Sequence, residues 1–115
     1  MKLILAFALA VLSAFAQDVA GKWKATADGP NGAMERTFDF KVEGGKLTGE
    51  TTSSFVGRSV ISNGKVNGNE VSFTITIELQ GEKMEVTYKG KVTGDAIKLT
   101  SDAAGNTFEW TGKKI

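Results

Sequence analysis

Six carboxylates, Glu35, Asp39, Glu50, Glu78, Glu85 and Glu109, and one arginine, Arg36, are the residues of this chain best suited by type to do chemistry. The sequence contains no histidine and no cysteine. That removes the commonest general base and the commonest metal ligand, and with them any Ser/His/Asp or Cys/His nucleophile arrangement. Glycoside hydrolysis needs only two carboxylates, facing each other about 5 to 10 Å apart across a cleft. Here all six carboxylates fall on the polar phase of alternating sequence and point toward solvent, so no enzyme is expected, and no cofactor. Arg36 is different: it sits on the apolar phase.

These phases belong to strands. From Gly21 onward two-residue alternation recurs between glycine-bearing turns, most clearly in Val71-Ser72-Phe73-Thr74-Ile75-Thr76-Ile77-Glu78-Leu79. Such a run buries one face. Eight strands are predicted: Gly21–Ala27, Met34–Glu43, Lys46–Ser53, Ser59–Asn67, Glu70–Gln80, Lys83–Thr93, Ala96–Ser101 and Thr107–Lys114. With Gly44-Gly45, Gly68-Asn69, Gly81-Glu82 and Gly94-Asp95 as two-residue hairpin turns, each turn fixes a register. Gly81-Glu82 then pairs Leu79 with Met84, Ile77 with Val86, Ile75 with Tyr88 and Phe73 with Gly90, while Gly44-Gly45 pairs Phe40 with Gly49. Ile61 would point outward unless Asn63-Gly64 forms a bulge that restores its phase. Register also sets Asp39 opposite Glu50 and Glu78 opposite Glu85. Like charges directly across destabilise. Calcium suits such oxygen ligands, but the flanking Lys41, Lys83 and Lys89 serve equally, so no metal site is assigned.

A phrase recurs at Gly45-Lys46-Leu47-Thr48-Gly49, Gly64-Lys65-Val66-Asn67-Gly68 and Gly90-Lys91-Val92-Thr93-Gly94, at spacings too uneven for a solenoid. It reads as repeated hairpin chemistry. An eight-stranded flat sheet would leave two open edges and an uncovered apolar face, with no helix to cover it. The expected fold is therefore an all-β, eight-stranded antiparallel up-and-down barrel, with a two-sheet β-sandwich as the alternative.

With Gly21-Lys22-Trp23 on the first strand, eight meandering strands behind it and a basic residue on the last, the chain resembles the calycins, the lipocalin and avidin-like barrels. It also resembles short exported bacterial proteins with Gly-Lys-Trp and Gly-Lys-Val-x-Gly phrases. The resemblance implies a closed end in which Trp23 is covered by a terminal-strand cation. Lys114 shares the phase of Phe108, Trp110 and Gly112 and fills that role, where the family more often has arginine. It implies a ligand mouth at the opposite end. Biotin binding does not carry over, because Ala25 and Thr51 stand where avidin-like chains have asparagine and tyrosine.

The mouth is expected where the longer connections fall, at residues 28–33, 54–58 and 102–106. Met34, Arg36, Thr51, Ser53, Leu79, Met84 and Ser101 should point inward near it, with Tyr88 on the inward phase below and Phe55 in a loop above. The candidate ligand residues are Arg36, Thr51, Ser53, Phe55, Met84, Tyr88 and Ser101. Two readings of Arg36 stay open. It is a counter-ion for the anionic head of a small apolar or amphipathic ligand, or, as is the commoner fate, a rim arginine snorkelling to water or pairing with Glu35 or Asp102. The inward aromatics could fill an eight-stranded interior unaided, so any pocket should be shallow. The alternative function is a protein-interaction or inhibitor module using loops and strand edges around a filled barrel.

The start of the chain concerns its destination. Met1-Lys2, an apolar run from Leu3 to Leu12 and the small-x-small Ala14-Phe15-Ala16 read as a signal peptide over residues 1–16, leaving one domain at 17–115. The apolar run is too short for a membrane span, which takes roughly 20 residues. A secreted or periplasmic monomer is expected. The chain has 14 basic and 13 acidic residues, and loss of Lys2 balances them. That neutrality argues against nucleic acid.

Overall fold

A computed structural model describes residues 19–29, 32–53 and 57–115, the side chain of Leu79 excepted. Eight strands follow one another in chain order: β1 (Gly21–Gly29), β2 (Gly32–Glu43), β3 (Lys46–Ser53), β4 (Gly57–Asn67), β5 (Glu70–Leu79), β6 (Glu82–Thr93), β7 (Ala96–Ala103) and β8 (Asn106–Lys114). Each pairs antiparallel with the next, and β8 returns to β1 to close the barrel. The closed barrel leaves no room for the sandwich alternative. The interior is built from the alternating apolar positions read in the sequence: Trp23, Phe38, Phe40, Leu47, Phe73, Ile75 and Ile97 are all nearly inaccessible.

The Gly44-Gly45 hairpin has the expected register, with Phe40 opposite Gly49 and Phe38 opposite Thr51. Gly49 lets the strand bend there: its φ is +130°, and a Cβ on it would collide with the backbone carbonyl of Asp39. Asn63 has φ +52° and the β4–β5 register shifts between Ser62 and Lys65. This is the anticipated bulge, and it turns Ile61 inward, where it is buried.

One turn is placed differently from expectation. The β5–β6 hairpin turns at Gln80-Gly81, with φ of +54° and +84°, not at Gly81-Glu82. Positive φ at both central residues is the type I′ pattern, which favours glycine second. The register moves by two residues, so Leu79 faces Glu82, Ile77 faces Met84, Ile75 faces Val86 and Phe73 faces Tyr88. A shift of two preserves every side-chain face, so Phe73, Ile75, Val86 and Tyr88 face the core in either register. Phe73 therefore lies beside Tyr88, and Gly90 lies opposite Val71. Glu78 pairs with Lys83 and Glu85 with Thr76, so the expected Glu78–Glu85 repulsion does not occur. Asp39 does face Glu50, and Arg58 sits 3.4 Å from the Glu50 carboxylate.

The end expected to carry long loops is tighter than anticipated. β1 and β2 stay paired out to Gly29–Gly32, and β7 and β8 out to Ala103–Asn106, around another type I′ turn at Ala104-Gly105. The strands simply run on where glycine and small residues had suggested loops.

Candidate functional site

The closed end forms as its residues imply. Trp23 has no accessible surface, and Lys114 Nζ lies 5.3 Å from the centre of its ring, within the range of a cation–π contact. Lys114 reaches this place because β8 pairs with β1 with Trp23 and Lys114 directly opposite. Val19, fully buried just before β1, completes the floor: the Trp23 indole Nε1 donates a 2.9 Å hydrogen bond to its carbonyl oxygen. Sequence reasoning missed Val19, because a single residue ahead of the first strand shows no alternation.

At the opposite end a cavity of about 360 Å³ opens inside the barrel. Five of the candidate residues line it: Arg36, Ser53, Met84, Tyr88 and Ser101. Thr51 stands behind them, fully buried, and holds Arg36: its Oγ1 accepts a 3.2 Å hydrogen bond from Arg36 Nη1 and donates a 2.8 Å one to the Thr37 carbonyl. Phe55 lies outside the described residues. Phe108, Trp110, Ile77 and Val86 complete the apolar wall. Their inward phase, shared with Ser101 and Met84, is the signal in the sequence that brings them here. The cavity is therefore larger than the shallow pocket expected, and falls in the size range of small-molecule sites.

Arg36 is 6% exposed, the one buried residue with a formal charge among the described residues, and it lines the cavity. Neither expected partner pairs with it: Glu35 pairs with Lys24 at 3.5 Å, and among the described residues no carboxylate forms an ion pair with Arg36. Its Nε is buried with no hydrogen-bond partner. Burial draws the guanidinium pKa below its ordinary value, the Tyr88 oxygen partly opposing this. Burial likewise raises the Tyr88 phenol, with Arg36 pulling the other way. At neutral pH the site thus presents a positive guanidinium beside an un-ionised phenol. Also lining the cavity, Trp110 Nε1 donates a 2.9 Å hydrogen bond to Ser101 Oγ, which leaves the Ser101 hydroxyl proton for another acceptor. A guanidinium, a phenol and a hydroxyl at the base of an apolar cup are suited to hold an anionic group.

The fold is a calycin-like closed barrel, a hollow mouth above a filled floor. Among solved structures the chain is similar to the REP1-NXSQ fatty acid transporter, with a TM-score of 0.53 and 14% identity over 87% of this chain and 98% of that one. It is also similar to the fluorescent protein UnaG in a single-substitution form, with a TM-score of 0.49 and 12% identity over 86% and 97%. A third is secretory abundant heat soluble protein 4 from Ramazzottius varieornatus, with a TM-score of 0.45 and 15% identity over 84% and 94%. No protein-family model matches the chain, and no curated protein sequence does.

Proposed function

We propose that this protein is an exported, monomeric, non-catalytic carrier that binds a small amphipathic molecule with an anionic head group in the mouth of its barrel. The observation that carries this reading is the buried Arg36, which has no ion-pair partner among the described residues and faces a largely apolar cavity. An uncompensated buried charge is costly, and an anionic head group bound beside Arg36 would offset that cost. Ser53, Tyr88 and Ser101 add hydroxyl groups to that site, while Met34, Met84 and Phe108 supply the surface for a tail.

The fold shared with a protein described as a fatty acid transporter supports the carrier reading. The lack of histidine and cysteine, together with outward-facing carboxylates, supports a protein that holds a molecule without converting it. Export is supported by the leader at residues 1–16, and cleavage before Gln17 keeps Val19 in the mature chain, where the floor needs it. The test is a paired screen of the purified protein: a lipid and metabolite library against wild type and Arg36→Ala, alongside pull-down from the native secretion. Binding of anionic amphiphiles that is lost in Arg36→Ala is expected. A screen without hits, with a protein partner captured instead, would replace the carrier by the interaction module.

A further inference from the structure

Resting on the carrier reading, we infer that the ligand is short, a carboxylate of about ten carbons or an aromatic acid of similar bulk, and that it enters head first with its far end at the mouth. The limit comes from an aromatic layer beneath the cavity. Phe38, Phe40, Phe73 and Tyr88 are each no more than 2% exposed. Their ring centres lie 5.0 to 5.8 Å apart, Phe73 and Tyr88 stacked at 8° and the contacts of Phe38 and Phe40 with Phe73 edge-on. Centroid distances in this range are those of rings in direct contact, so these four side chains fill the interior between the cavity and Trp23 on the β2, β5 and β6 side.

Above this layer the cavity is about 360 Å³. At roughly 30 Å³ for each non-hydrogen atom, the share of a water molecule in the liquid, it holds about 12 such atoms. A ten-carbon carboxylate matches that count, whereas a long-chain fatty acid exceeds it by about half.

Register gives the orientation. Leu79 and Glu82 pair beside the Gln80-Gly81 turn, Ile77 and Met84 pair two residues further from it, and Tyr88 lies two inward positions deeper than Met84 on the same strand. Arg36 is one inward position deeper than Met34 on β2, and Ser101 is one deeper than Ala103 on β7. The guanidinium, the phenol and the Ser101 hydroxyl are therefore deeper than the thioethers of Met34 and Met84, and Glu35 and Asn106 join those thioethers around the upper part of the cavity. Met84, 37% exposed, marks where the apolar wall meets water.

Titration calorimetry with the saturated carboxylates of six, eight, ten, twelve and sixteen carbons, each below its micellar concentration, tests this. Affinity should rise about fourfold per methylene, the value of burying one CH₂ group, up to ten carbons. It should then level off, because further methylenes emerge into water at the mouth. A fourfold gain per methylene continuing to sixteen carbons would overturn the length limit while leaving the carrier reading intact. A sharp fall beyond ten carbons would overturn the head-first orientation, since a tail buried at the bottom cannot extend outward. Absence of binding across the whole series would strike the anion-carrier reading itself, and the length limit with it.

Discussion

Arg36→Met should make the empty protein more stable while abolishing its affinity for anions. In the barrel Arg36 is 6% exposed, Nη1 makes one 3.2 Å hydrogen bond to Thr51, and Nε has none. Losing the hydrogen bond from a charged donor costs about 1.5 to 3 kcal/mol. Against that, removing an unpartnered buried polar atom returns about 1 to 3 kcal/mol, and removing a buried charge without a counter-ion returns several more. Methionine keeps most of the apolar stem in place. Thr51 keeps its 2.8 Å bond to the Thr37 carbonyl, so the substitution creates no new orphan. The net expectation is a gain of about 1 to 3 kcal/mol, similar to what replacing buried ionic groups by apolar ones has given elsewhere. Urea unfolding followed by tryptophan emission reads it directly. At a slope of about 1 to 3 kcal/mol per molar urea, the midpoint should rise by roughly 1 M. A loss of more than about 1 kcal/mol would mean that Arg36 is a structural tie satisfied by the fold, and the argument from an uncompensated charge would fail.

Trp23→Ala should destabilise by about 3 to 5 kcal/mol, the range for deleting a large buried aromatic, and Lys114→Met by less than about 1 kcal/mol, because the cation–π term is small and the stem packing survives; similar losses in denaturant unfolding would mean that the tryptophan does not form the floor. Tyr88 is the one tyrosine of the chain, so alkaline ultraviolet titration reads it alone, and burial should place its ionisation above the ordinary value near 10. The sign follows: with the folded pKa raised, its contribution to stability is whole below about pH 10 and is lost as pH climbs toward the folded value, so the stability gap between wild type and Tyr88→Phe should change only above that pH. A midpoint at or below 10 would contradict the burial. Intact-mass measurement of exported protein should give a chain beginning at or near Gln17, and retention of residues 1–16 would refute the leader assignment.

The barrel was legible in the sequence because its strands are simple. Alternation with period two in β5 and β6 assigns each residue to a face without knowledge of the neighbour, and a glycine pair such as Gly44-Gly45 sets a register outright. Even the misplaced β5–β6 turn did no harm to the core, since only a shift by one would have turned Phe73 and Ile75 outward. The bulge at Asn63-Gly64 was legible for the same reason: without it Ile61 would face water. What alternation does not carry is how far pairing continues, so the strand extensions to Gly29 and Ala103 were missed. It also says nothing of distances across the interior. That Arg36 faces the mouth followed from its phase, and the opposite phase of Glu35 and Asp102 keeps both away from it. Glu35 points outward to Lys24, and Asp102 takes the exposed phase of β7 beside Thr87. The cavity does not follow from phase, because whether inward side chains fill a barrel depends on their stacking, and here the rings of Phe38, Phe40, Phe73 and Tyr88 gather into one layer and leave the space above it open.

The central claim is that Arg36 selects an anionic head group at the base of the mouth. It is tested most directly by calorimetric affinity for decanoate against decan-1-ol, molecules alike in tail and different in charge, in wild type and in Arg36→Met. Wild type should prefer decanoate by tenfold or more, about the 1.4 kcal/mol that a charge-assisted hydrogen bond readily supplies, and Arg36→Met should lose or reverse that preference. Equal affinity for acid and alcohol in wild type, or a preference unchanged in Arg36→Met, would contradict the account.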